Sequence, residues 1–188
     1  LSEKSGHQIE AVSLRHSDII GKDSLNGIPA QTFTPYIQRQ LSSGISRFIV
    51  IPLFFSSNHA LSVYIPKQLE TLKAEYADLD VRIAEEVYPL PEGEPRLVSL
   101  LQSYLQALML PTTDIETSIV LVDHGSPSPK VTAVREHIAR ELNRNSADLT
   151  IDQAVMERRE ASQYDFNGQL LEEYLIQKAE SGVKPVIV

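Results

Sequence analysis

The chain has 188 residues, 42% of them hydrophobic and 22% charged, which is enough to bury a core in one domain or two small ones. Its net charge of −8 argues against nucleic acid as a partner, and the absence of cysteine excludes disulfides and thiolate metal sites. The longest apolar run, FIVIPLFF, is too short to span a membrane, and the polar start LSEKSGHQIE is no signal peptide, so a cytoplasmic setting with no membrane partner is expected.

A strand over IEAVSL (9–14) comes first, followed by a polar loop with Gly21, Gly27 and Pro29. Phe33, Ile37 and Leu41 recur on one face of a helix over 31–42, with Gly44 as its stop. The run FIVIPLFF reads as a buried strand that empties into SSNH and ends on His59, and a helix over 61–76 follows. DVRIAEEVY is a third strand. EPRLVSLLQSYLQALM is a helix with Pro95 in its first turn and Pro111 as its end. SIVLVDHGS is a strand with His124 at its mouth. The helix after it, over 130–142, aligns Val131, Val134, Ile138 and Leu142. LTIDQAVME is a strand ending on Glu157, FNGQLLEEYLIQKAESG a helix closed by glycine, and VKPVIV a last strand.

Continuous apolar strands alternating with amphipathic helices predict an α/β fold of parallel sheets flanked by helices, three-layered and flavodoxin-like. Ligands of such sheets bind beyond the carboxyl ends of the strands. His59 and His124 both follow such ends and are expected to face one general region.

The order repeats. LSSGISRFIV (41–50) matches AESGVKPVIV (179–188), and IEAVSLRHSD (9–18) matches IDQAVMERRE (151–160), so two related halves are displaced by about 140 residues. The halves are taken as 1–113, lacking a first strand, and 114–188, incomplete at its end. On this reading the sequence belongs to a longer molecule.

A strand running into HGS, a second ending in Glu157 and a third reading IPLFFSSNH resemble the sirohydrochlorin chelatases of the CbiX and SirB type, in their long two-half form. These are class II, ATP-independent enzymes that insert cobalt or ferrous iron into a reduced tetrapyrrole. The resemblance covers nearly the whole chain and rests on the order, spacing and duplication of moderately specific motifs. It implies two similar halves closing on a cleft. It also implies His124 of DHGSPSP, Glu157 of AVMERRE and His59 of PLFFSSNHAL as metal-holding and catalytic residues. In the first half the acidic position holds Arg15, followed by His16.

The implied activity is that of a lyase, a cobaltochelatase or ferrochelatase of cobalamin or siroheme biosynthesis. No permanent cofactor is expected. The divalent metal is a substrate, beside a sirohydrochlorin-type tetrapyrrole, and a homodimer stays open. Neutral imidazole holds the later divalent metals weakly enough to pass them on, and histidine or carboxylate can accept pyrrole protons. The carboxylates of the tetrapyrrole call for Arg15, Arg158, Arg159, Lys130 and the N–H groups around Ser126 and Ser128.

Each residue also has a plainer reading. Strand-end histidines can be loop residues, Glu157 a solvated charge, Arg158 and Arg159 ion-pair partners, and Ser126 a helix cap. His7 and His137 look unremarkable. Acyl transfer and nucleotide chemistry are disfavoured, since neither Gly-x-Ser-x-Gly nor a phosphate-binding glycine motif is present. The alternative is a non-catalytic tetrapyrrole- or metal-binding protein of the same fold, favoured by Arg15 in place of an acid and by Asn58 before His59.

Overall fold

The structure, a computed structural model, describes residues 2–15, 17–108, 117–145 and 150–187. It divides into two compact units, Leu1–Ile51 with His59–Ala84, and Pro52–Asn58 with Glu85–Val188.

In the first unit, helix α1 (Phe33–Ser42) buries Phe33 and Ile37, one turn apart. It closes through Gly44, at φ +89°, where Gly44 N–H donates to Leu41 O (2.9 Å) and Ile45 N–H to Gln40 O (3.0 Å). These two bonds satisfy the last carbonyls of the helix in a Schellman turn. Strand β1 (Arg47–Val50) pairs in parallel with β2 (Asp80–Ile83), from Arg47↔Asp80 to Val50↔Ile83. The ladder stops short of FIVIPLFF's full length because Pro52 has no N–H to offer it. Between the strands a π-helical turn (Ala60–Tyr64) runs into α2 (Ile65–Glu75). Pro66 accounts for the wide turn, since its ring displaces the carbonyl four residues back and removes a donor. Phe48, Val50 and Val81 face a core of Phe33, Ile37, Ile65, Leu69, Leu72 and Leu79. Ile49 and Ile51 point the other way, 75% and 60% exposed.

The expected strand over 9–14 is not one. Ser13 makes a single parallel bridge with Thr32, and Ile9 and Val12 are each 37% exposed. An apolar run becomes a strand only where a neighbour offers a ladder, and here the ladder is one residue long.

In the second unit β3 (Thr117–Asp123) is central, with β4 (Ile151–Val155) on one side and β5 (Lys184–Ile187) on the other, all parallel. Helices α3 (Pro95–Leu108) and α4 (Pro129–Arg144) supply Val98, Leu105, Val134, Ile138 and Leu142 to a core with Ile119, Leu121 and Ile151. On the opposite face α5 (Leu171–Glu180) packs Tyr174 against Val120 and Ala154. β3 is thus apolar at consecutive positions because both its faces are covered. The expected helix over 166–182 divides at Gly168, φ +83°, into a 3-10 segment (Ser162–Asn167) and α5. The expected stop at Pro111 lies outside the described residues.

The repeat recurs in the backbone. Val155 bridges Leu170 in parallel, as Ser13 bridges Thr32. α5 closes through Gly182, φ +73°, with Gly182 N–H on Ala179 O (3.1 Å) and Val183 N–H on Lys178 O (3.0 Å).

Candidate functional site

The centre of the second sheet delivers His124. The chain leaves β3 at Asp123, paired with Val155, and two backbone bonds continue the ladder past the strand ends. Met156 N–H donates to Asp123 O (2.9 Å) and Glu157 N–H to His124 O (3.0 Å). Strand register therefore makes His124 and Glu157 neighbours: His124 Nε2 lies 3.5 Å from Glu157 Oε1, with both side chains 73% exposed. Gly125 is obligatory between them. Its φ is +91°, and a Cβ there would stand 1.8 Å from the Glu157 carbonyl oxygen.

A buried polar set lies behind the loop. Asp123 Oδ1 accepts the Gly125 N–H (2.7 Å) and sits 3.1 Å from Nη1 of Arg135, a side chain only 5% exposed. Arg135 also donates to Gln153 Oε1 (3.3 Å) and to Asn167 O (2.7 Å). Asn167 is buried; its Oδ1 accepts Ser126 N–H (3.1 Å), and its Nδ2 donates to Ser126 O (3.0 Å) and Tyr164 O (3.0 Å). Ser126 Oγ accepts Ser128 N–H (3.1 Å) at the entry to α4.

Gly125, Ser126, Pro127, Glu157, Arg158 and Arg159 line an open concavity of about 330 Å³. Arg158 leans back to donate to Gly168 O (2.9 Å), 3.7 Å from Asp165. Arg159 donates to Tyr164 Oη (3.1 Å) and lies 5.5 Å from its ring centroid. That bond to the phenolate holds the Tyr164 hydroxyl below the usual tyrosine range. A smaller hollow of about 130 Å³ at Tyr88, Val98 and Glu141 contains none of the expected site residues.

In the first unit, exposed His59 opens the π-helical turn that leads into α2. Arg15 stacks on Tyr64, 4.0 Å from guanidinium carbon to ring centroid, and Tyr64 Oη donates to Leu14 O (3.4 Å). His124, Glu157, Ser126 and Arg158 are thus brought to one sheet edge, while His59 and Arg15 belong to the other unit. Lys130 is exposed in the first turn of α4. His16 lies outside the described residues. His137 has a definite partner: its Nδ1 is 2.9 Å from the hydroxyl of buried Tyr88.

Two donor atoms sharing a tetrahedral ion at about 2.1 Å each stand about 3.4 Å apart. The His124–Glu157 separation of 3.5 Å is therefore suited to one shared ion as well as to a loose ion pair. Among the described residues no group of three or more His, Asp or Glu is placed to hold a metal. A two-donor grip is weak, leaving the remaining coordination positions to water or substrate.

Asp123, Arg135 and Asn167 escaped the sequence reading. Asp123 stands beside His124 in DHGS, and Arg135 flanks the apolar face at Val134, but no spacing connects either to Asn167. Their bonds cross 32 and 41 residues of chain.

No family model and no curated protein matches the chain. Among solved structures it is similar to SirB from Bacillus subtilis with Fe3+, at a TM-score of 0.60 and 14% identity, over 88% of this chain and 64% of that one. It is also similar to the sirohydrochlorin chelatase SirB from Bacillus subtilis subspecies spizizenii in complex with cobalt, at a TM-score of 0.54 and 12% identity, over 85% and 69%. The fold is that of the SirB chelatases. The chain spans about two thirds of the length of those chelatase chains. The α/β architecture of small parallel sheets flanked by helices agrees with that expected from the sequence. Among the described residues no helix is long and apolar enough to cross a membrane.

Proposed function

We propose that this chain inserts a divalent metal, cobalt or ferrous iron, into a sirohydrochlorin-type tetrapyrrole, in a cytoplasmic setting and with no resident cofactor. The observation that carries the proposal is the His124–Glu157 pair, 3.5 Å apart at the carboxyl edge of a parallel sheet. Support comes from the fold it shares with SirB solved with Fe3+ and with cobalt.

On this reading neutral His124 takes the ion through Nε2, and Glu157 shares it or fixes the imidazole. Two protein donors keep the ion transferable. As the ring nitrogens take the metal over, the two pyrrole protons pass to the released imidazole and to the Glu157 carboxylate. His59, after the third strand of the first half, serves as a further metal-holding and catalytic residue. Residues 1–113 and 114–188 are read as the two related halves. Ser126, Arg158 and Arg15 meet substrate carboxylates; Ser126 and Arg158 already line the concavity.

The rival is a stoichiometric tetrapyrrole or metal carrier of the same fold. It is favoured by the absence, among the described residues, of a third ligand-type side chain beside the pair. Anaerobic visible spectroscopy with limiting protein, excess sirohydrochlorin and excess cobalt separates the two, beside His124→Ala and His59→Ala. Multiple turnovers lost in His124→Ala support the chelatase. A spectral change that halts at one equivalent assigns a carrier. Full turnover in both variants removes these histidines from the chemistry.

A further inference from the structure

We infer that Asn167, braced by buried Arg135 and its half-buried partner Asp123, is the positioning residue that sets where His124 stands. The inference rests on the reading of His124 and Glu157 as the metal-insertion centre. Asn167 treats Ser126 as a neighbouring strand would. Its amide oxygen accepts the Ser126 N–H and its amide nitrogen donates to the Ser126 carbonyl, across 41 residues of chain. Asp123 Oδ1 ties the Gly125 N–H at 2.7 Å. The residue on the amino side of His124 and the two on its carboxyl side are thereby held. Arg135 joins the two ties, lying 3.1 Å from Asp123 Oδ1 and donating to Asn167 O at 2.7 Å.

Neither Arg135 nor Asn167 lines the concavity, at 5% and 1% exposure. They do not meet a ligand directly and act only through the loop. A buried ion pair is weak support for stability, because apolar side chains of similar volume often do as well. Its value here lies in direction: an amide bonded to both Ser126 N–H and Ser126 O fixes the two peptide planes that flank Ser126, which apolar packing cannot. The related segment of the first unit has Pro29 where the repeat places Asn167, so the clamp is no general requirement of this helix-strand unit.

The test compares Asn167→Ala and Arg135→Met with Ile138→Ala, which opens the α4 core without touching the clamp. Asn167→Ala is expected to lower kcat for cobalt insertion about tenfold, with KM for sirohydrochlorin unchanged within about twofold. Arg135→Met is expected to follow it. Ile138→Ala is expected to melt earlier while keeping its kcat. In parallel, the His124 ring carbon-proton NMR signal of the metal-free protein should move in Asn167→Ala and stay in Ile138→Ala. Wild-type kcat with an unmoved His124 signal in Asn167→Ala overturns the inference. So does equal loss and equal movement in Ile138→Ala. If the wild-type protein inserts no cobalt, the metal-insertion reading fails, and the His124 signal alone then decides whether Asn167 positions it. Should Asn167→Ala fail to fold, Asn167→Asp keeps size and acceptor, loses the amide donor to Ser126 O and Tyr164 O, and is read the same way.

Discussion

Ser13 bridges Thr32 in the first unit and Val155 bridges Leu170 in the second, at positions aligned by the sequence repeat. The likeness reaches side chains. Tyr36 of α1 has a cation 5.6 Å from its ring centroid, from Arg39, and Tyr174 of α5 has one at 5.1 Å, from Lys178. Burial raises both hydroxyl pKa values, aided by Glu10 in one copy and Asp152 in the other, which the repeat also aligns. Two residues past the bridge the copies part. Arg15 lies on the Tyr64 ring, while Glu157 faces His124. The two copies share the helix, its glycine stop and the strand that follows, which in each copy finds a parallel neighbour. Beyond the strand end the contacts differ between the copies, so one place in the scaffold carries opposite charges.

Gly125→Ala should show the largest effect in either copy. The added methyl would overlap the Glu157 carbonyl, parting the β3 and β4 exits. We expect cobalt insertion to fall on the order of 100-fold, and steady-state rates check it. Near-normal rates would mean that His124 and Glu157 need not be neighbours.

A matched pair of charge removals follows. Glu157→Gln should weaken cobalt binding by the protein alone about tenfold, by calorimetry. Arg15→Gln should leave cobalt affinity unchanged and raise KM for the tetrapyrrole. Equal effects on cobalt affinity would erase the distinction between the copies.

Gly44→Ala and Gly182→Ala test the shared part. Both glycines have positive φ and open space where a Cβ would go, so only backbone strain is added. Each should lose about 1 kcal/mol in urea unfolding, and by similar amounts.

The smallest effect concerns alkaline pH. Tyr36 and Tyr174 have folded pKa values above the ordinary 10.0, so the native state holds protons that the unfolded chain releases. Their contribution is complete below about pH 10 and is lost as pH rises through the folded values. Urea midpoints across this range should fall less steeply in Tyr174→Phe and in Tyr36→Phe than in the wild type. An unchanged slope in one alone would show that the copies differ in burial.

The legible parts of the sequence were those governed by local periodicity and turn chemistry. Apolar runs announced β3 and β1, Phe33 and Ile37 announced α1, and Gly44 and Gly182 marked the stops of α1 and α5. His124 and Glu157 were legible because each ends such a run. The segment over 9–14 misled because strand propensity says nothing about whether a partner is present. The π turn before α2 was implicit in Pro66, whose missing donor interrupts the helix. Asp123, Arg135 and Asn167 could not be read, since hydrogen bonds between distant segments leave no period in a single sequence.

Asn167 is followed by Gly168, the dipeptide in which the next backbone nitrogen most readily attacks a side-chain amide. In the folded chain both amide atoms are engaged by backbone groups, and Gly168 N–H is held by Asp165 O (3.0 Å). Deamidation at this step must wait for local opening of the 3-10 segment. The clamp therefore also acts as a preservative: the useful lifetime of a stored preparation follows how often that segment opens, and ageing should leave isoaspartate at position 167 before global structure is lost.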